Sequence, residues 1–316
     1  MIFRFDDTLK TNDDKAKHLL AKCLILMNEK GHHIERSGFY FNFIEKEIIV
    51  TTYMGQMDID LIHSNDELYD ATTSNLADYR YITVGCGENM YSPTDAHIIL
   101  NEPSIVVVEN ERNDGSVIKR WAECYQDDDN MGDLNKTVFE ALDDGRVRFV
   151  SAGGGDGTIV KKIEDQLKLY GSHPQLKITT VFDSDKSSAN DNTPHNQSLI
   201  GFLTDGGFDY HCLVKREMEN YFPLKVYAKC GLINEGFDIP ELSEEEWDYF
   251  EIKEEKEKKN GEQAFLTYEK KFLPDLSARA KKKHFRQRLS HQPQYNCHYG
   301  EVDEIQHILL MLAKFV

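Results

Sequence analysis

Three apolar segments, each closed by residues able to carry chemistry, constrain this chain more than any other feature. Residues 104–108 (SIVVV) end in Glu109, residues 146–151 (RVRFVS) run into Gly153, Gly154 and Gly155, and residues 176–182 (LKITTVF) end in Asp183. Residues 209–214 make a fourth strand candidate. Helical periodicity fills the gaps, over about 116–125 and over 158–169, where Ile159, Val160, Ile163 and Leu167 share a face. Apolar strands alternating with helices read as a parallel sheet covered on both faces. Right-handed crossovers set the C-terminal ends of such strands along one edge, and ligands bind there. Glu109, the glycines and Asp183 are therefore expected to converge.

Carboxylates on neighbouring strand ends suit magnesium or manganese, which prefer hard oxygen ligands. Asp183 and Asp185 lie two apart, so on an extended segment both are expected to face one ion. An ion held there neutralises a phosphate, lowers the pKa of a water and stabilises a leaving oxygen. A DxD alone is common in solvated turns. Three such motifs in order, each at a strand end, are considerably more specific.

The combination IVVVEN, FVSAGGGDG and VFDSDKSS resembles the TOPRIM domain and, within it, the OLD-like nucleases of anti-phage defence systems. In that family a Glu ends the first strand, a glycine turn the second and a DxD the third, which Glu109, Gly153 to Gly155, and Asp183 with Asp185 match. The resemblance implies an α/β fold, a Rossmann-like parallel sheet flanked by helices over residues 101–232. An N-terminal α+β unit over 1–100 and a helical region over 233–316 flank it. It implies a Mg2+- or Mn2+-dependent endonuclease that cuts phosphodiester bonds in DNA or RNA. Glu109 acts as ligand or general base, and Asp183 and Asp185 as ligands. VENERND adds Glu111 and Asp114 as auxiliary acids. LVKREMENYF (213–222) adds Lys215 as a catalytic cation, Arg216 beside it, and Glu219 as a ligand for a second ion; a salt bridge to Glu217 or Glu219 is the alternative for the two cations. The family's ATPase motif, GxxxxGK[ST], is missing, which implies control by a separate ATPase or sensor. Two other readings stay open: a primase-like nucleotidyl transferase, although no zinc-ribbon module is recognised, and a non-catalytic TOPRIM interaction module, although all three acids are present.

The formal charge of −18 argues against a passive nucleic-acid coat. One strongly basic run stands out, RAKKKHFRQR (279–288). Lys281, Lys282, Lys283 and Arg286 either track a nucleic-acid backbone or form a solvated helix face paired with the preceding acidic run; the second is preferred. The glycines read as a tight turn in preference to a phosphate cradle. In the N-terminal unit, Ala16, Leu19, Leu20, Cys23, Leu24 and Met27 predict a helix capped by Asn12 or Asp13 and ended by Gly31. Residues 39–53 and 79–84 predict strands. The polar stretch 187–198 reads as a loop beside the site. Six scattered cysteines without a CxxC read as buried, reduced thiols. No apolar run reaches the roughly 18 to 20 residues of a membrane span, and residues 1–10 lack a secretory h-region, so a cytoplasmic protein without a membrane partner is expected.

Overall fold

The computed structural model describes residues 1–10, 13–35, 38–49, 59, 80–128, 131–153, 156–170, 173–191, 196–232, 243–251, 273–292, 294–297 and 299–316. Gly154 and Gly155 lie outside them, as do 192–195 of the polar loop and residues 252–272, which include the second part of the acidic run.

The chain opens with β1 (Ile2–Phe5), α1 (Asp14–Glu29) and β2 (His33–Glu35). Asp13 caps α1 by accepting the Lys15 N–H, and Gly31 leaves it at φ +70°, as the sequence led one to expect. Tyr40–Ile49 then forms α2, of the wide π type. This corrects the strand expected over 39–53 as far as residue 49; residues 50–53 lie outside the described residues. Tyr40, Ile44 and Ile48 are all buried, and their spacing of four gathers them on one helical face against α1. β3 (Tyr81–Val84) and α3 (Pro93–Asn101) follow, with Ser92 and Asp95 making a reciprocal cap at the start of α3. The three strands are all parallel in the order β2-β1-β3. The unit is thus a small parallel α/β layer, not the expected α+β arrangement.

The second sheet carries the motifs. Its elements run β4 (Ser104–Val108), α4 (Asp114–Tyr125), α5 (Gly132–Asp144), β5 (Val147–Ser151), α6 (Asp156–Leu167), β6 (Ile178–Phe182), α7 (Gln197–Asp205) and β7 (Asp209–Cys212). The strands pair in parallel in the order β5-β4-β6-β7. Alternation along each strand splits its apolar residues between two layers. Val106, Val108, Val147 and Val181 face a core shared with α4 and α5; Ile105, Val107, Ile178 and Phe182 face one shared with α6 and α7. This is a parallel sheet flanked by helices on both faces, a Rossmann-like arrangement, with all strand C-termini on one edge. Close approach shapes one face: a Cβ on Gly115 would sit 2.9 Å from the Phe149 ring, so only glycine lets the start of α4 lie against β5.

The C-terminal region contains α8 (Leu224–Lys229), α9 (Glu244–Asp248), α10 (Leu273–Arg279), α11 (Lys282–Leu289), a hairpin of β8 (Tyr295–Cys297) with β9 (Gly300–Val302), and α12 (Glu304–Ala313). Helices α10 to α12 bury Leu276, Phe285, Ile305 and Leu309 in the same core as α4 and α5. They extend the central unit and are continuous with it. Cys23 is buried and Cys86 exposed, and all the described cysteines are free thiols, so the expectation of reduced cysteines holds and that of general burial does not. No helix among the described residues is long and apolar enough to cross a membrane.

Candidate functional site

Glu109 follows the last residue of β4, and the turn after β5 fixes its backbone. The Ser151 hydroxyl and the Gly153 N–H both donate to the Glu109 carbonyl, at 2.9 and 3.0 Å. Gly153 does this at φ +91°, which disfavours any residue with a Cβ, so the tight-turn reading describes it. Asp183 follows β6. Its Oδ1 accepts the Met218 N–H at 3.2 Å and its carbonyl accepts from Asn196 Nδ2 at 2.8 Å. Asp114, at the start of α4, accepts the Asn110 N–H through Oδ2 at 2.8 Å, which ties the helix to the segment after Glu109. Glu217 and Glu219 come from the turn after β7, where Asn220 accepts the Glu217 N–H and donates to the carbonyls of Trp247 and Phe250.

These acids meet around Asp183. Burial raises its carboxyl well above the ordinary carboxylate range, and the charges of Asp114, Glu219, Glu109 and Glu217 raise it further, in that order. Asp114 and Glu219 are themselves buried. Glu217 was read only as a salt-bridge partner; its place two residues before Glu219, on a turn that folds back towards β6, is the signal that could have found it.

Several expected members stand elsewhere. Asp185 is exposed and adopts φ +55°. The chain is not extended beyond Asp183, so the alternation that would turn both carboxylates to one side fails, and Asp185 is not among the charges acting on Asp183. The amides of Ser184 and Asp185 both donate to the Arg216 carbonyl, at 3.1 and 3.2 Å, which sets this bend. Glu111 is exposed and likewise absent from the group around Asp183. Among the described residues, no three His, Cys, Asp or Glu side chains are drawn together as a ready metal cage.

Lys215 is also displaced from the expected role. Its side chain is fully buried, where it pairs with Asp248 at the end of α9 and lies 5.5 Å from the centre of the Tyr221 ring. Asp248 is the hub of a buried network: its Oδ1 also binds Arg288 of α11, and its Oδ2 meets His291 at 2.6 Å and Gln292 at 2.5 Å. Burial lowers the Lys215 ammonium to about 8 although Asp248 opposes the shift. Arg216 takes the salt-bridge alternative, to Glu251 at 2.5 Å and Glu217 at 3.8 Å, while its Nη1 donates to the carbonyls of Asp185 and Lys186. Of the basic run, Lys282 and Arg286 pair with Asp128, at 3.2 and 3.4 Å. Lys281 and Lys283 remain exposed.

Comparison of the chain with protein-family models, with curated proteins and with solved structures finds no match in any of the three.

Proposed function

We propose that the chain is a metal-dependent phosphodiesterase of the OLD-like TOPRIM type, cutting DNA or RNA as a defence effector under the control of a separate ATPase or sensor. The observation that carries this reading is the gathering of Glu109, Asp114, Glu217 and Glu219 round Asp183 at the C-terminal edge of a parallel sheet. Crowded carboxylates repel one another in the absence of a cation, and a divalent ion relieves that cost. The donor chemistry therefore fits magnesium or manganese, with Asp183, Glu109 and Asp114 or Glu219 as the residues that would hold it after their side chains draw together. A bound ion of this kind supplies Lewis-acid stabilisation of phosphate and an acidified water.

The chain's own groups prepare that site. Gly153 and Ser151 hold the Glu109 backbone, Met218 orients the Asp183 carboxylate, and Asn110 orients Asp114. A carboxylate of this cluster left outside the coordination shell would serve as general base for the attacking water. Lys215 is assigned no chemical step, because its ammonium is committed to Asp248.

The outward turn of Asp185 and the burial of Lys215 favour a second reading, a non-catalytic TOPRIM interaction module. Incubation of the purified chain with Mg2+ or Mn2+ and plasmid, single-stranded DNA and tRNA separates the two. Metal-dependent cleavage lost in Asp183→Ala is the expected result; no cleavage of any substrate with either metal leaves the interaction module.

A further inference from the structure

The surface around α8 and α11 carries a group of exposed lysines. Lys225 and Lys229 on α8, with Lys281 and Lys283 at the start of α11, are all exposed. All four charges act on one imidazole, that of His284, which places them on a common patch. His284 is itself buried, with Nδ1 accepting the Lys281 N–H at 3.2 Å, so it organises the patch from beneath. Among the described residues no carboxylate forms an ion pair with any of the four lysines, in contrast to Lys282 and Arg286, which are spent on Asp128. Lys225 reaches only the neutral Gln287.

A cleft of about 230 Å3 opens beside Lys225, walled by Pro223, Leu224 and Trp247 as well as by Gln287 and Arg288. It is smaller than the roughly 300–1,000 Å3 of pockets that enclose a whole drug-sized ligand. Pro223, Leu224 and Trp247 suit a flat apolar group and Lys225 an anionic link beside it, while Glu244 and Arg288 of the same wall pair with each other. The patch is joined to the acidic site through the chain and one hydrogen bond. Residues Met218–Tyr221 carry Glu219 and lead directly into α8, and Arg288 of α11 donates to the Asn220 carbonyl at 3.0 Å. An eight-residue helix such as α11 spans about 12 Å, so patch and site lie within reach of one short stretch of backbone.

We propose that Lys225, Lys229, Lys281 and Lys283 form the track that holds the sugar-phosphate backbone of the nucleic acid cut at the acidic edge, with a base entering the cleft beside Lys225. This rests on the phosphodiesterase reading for its substrate class, and it moves the basic track away from Lys282 and Arg286. On a chain of net charge −18, four unopposed lysines are an attractive window in a repulsive field, so they orient a polyanion as well as bind it.

The test measures binding separately from cleavage. Fluorescein-labelled single-stranded DNA, duplex DNA and RNA are titrated with the full chain in EDTA across a salt series, followed by anisotropy. Each lysine that neutralises a phosphate contributes about 0.7 to the slope of log affinity against log salt for a single strand, and about 0.9 for a duplex. Lys281→Gln with Lys283→Gln is expected to reduce the single-strand slope by about 1.4, and Lys225→Gln with Lys229→Gln by a similar amount. Lys282→Gln with Arg286→Gln leaves it nearly unchanged. Unchanged slopes in both patch variants, or no binding of any nucleic acid at low salt, overturns the proposal. So does equal, lysine-dependent binding of polyglutamate or of phosphatidylserine vesicles. Lysine-dependent binding without cleavage in Mg2+ or Mn2+ removes the phosphodiesterase reading alone. Cleavage indifferent to the four lysines removes the track alone.

Discussion

Asp183 sets a conflict between stability and chemistry at the scale of one side chain. Its folded-state carboxyl is raised, so the native chain binds more protons there than the unfolded chain does over the interval just above 3.8. Its contribution to stability therefore declines as pH rises through that interval, and the charged form works against the fold. Asp183→Asn keeps an acceptor for the Met218 N–H and removes the charge. In EDTA this variant is expected to melt higher than the parent, by roughly 2–4 °C for each kcal/mol of repulsion removed. Mg2+ should raise the melting temperature of the parent and leave the variant unmoved. A lower melting temperature for the variant in EDTA would show that the carboxylates do not repel as described. The sequence marked Asp183 and Glu109 correctly as strand-ending acids, because a continuous apolar run reveals where a buried strand stops. It did not reveal how the chain leaves the strand. Asp185 looked equivalent because alternation holds only while the backbone stays extended, and a residue at φ +55° breaks it.

Between elements, the decisive contact is the one that fastens β7 to α9 and α11. Lys215 follows β7, and its partner Asp248 stands 33 residues later, at the end of a short helix. No periodicity links them, which is why a motif-based reading assigned Lys215 to chemistry. Removing one partner of a buried ion pair costs about 3–5 kcal/mol where the other is left uncompensated. Asp248 keeps Arg288, so Lys215→Ala is expected to lower the unfolding free energy by less than that amount in urea denaturation. Metal-induced stabilisation should survive wherever the protein is still folded. A fully stable Lys215→Ala protein with abolished turnover would return the residue to the active site. The α2 segment teaches the complementary lesson. Its alternating aromatic and polar residues fit a strand, but Tyr40, Ile44 and Ile48 fit a helical face equally well, and packing against α1 decides. Within residues 104–212 the four strands and the helices α4 and α6 were legible, because strand burial and helix periodicity agree there; α5 and α7 were not read.

Across the whole molecule, the seam between the two sheets controls the response to acid. His32 and His33 are buried where the N-terminal unit meets Lys177 and Arg146. Burial, and then the neighbouring positive charges, lowers His32 well below 6.5, and burial first of all lowers His33 to about 4. Between about 4 and 6.5 the unfolded chain takes up protons that the native chain refuses, so stability rises with pH across that window. Asp183 and Asp303 act in the opposite sense, while His284, His307 and the buried N-terminus act in the same sense as the seam histidines. In EDTA, stability is expected to fall as pH is lowered from about 7 to about 5, with a limiting slope of about 1.4 kcal/mol per pH unit for each histidine. His33→Gln should flatten the profile of midpoint against pH, and an unaltered profile would exonerate the seam.

The Arg216 carbonyl, which takes up the amides of Ser184 and Asp185, has a mechanical consequence. Arg216 adjoins Lys215, its own N–H donates to the Asp248 carbonyl at 2.9 Å, and Asp248 is gripped by α11. The bend that points Asp185 outward is thus geared to the C-terminal helices through two adjacent residues. A displacement of α9 or α11 would therefore pull on the bend at Asp185 through these hydrogen bonds, so the route out of β6 is braced from the far side of the molecule's C-terminal helices.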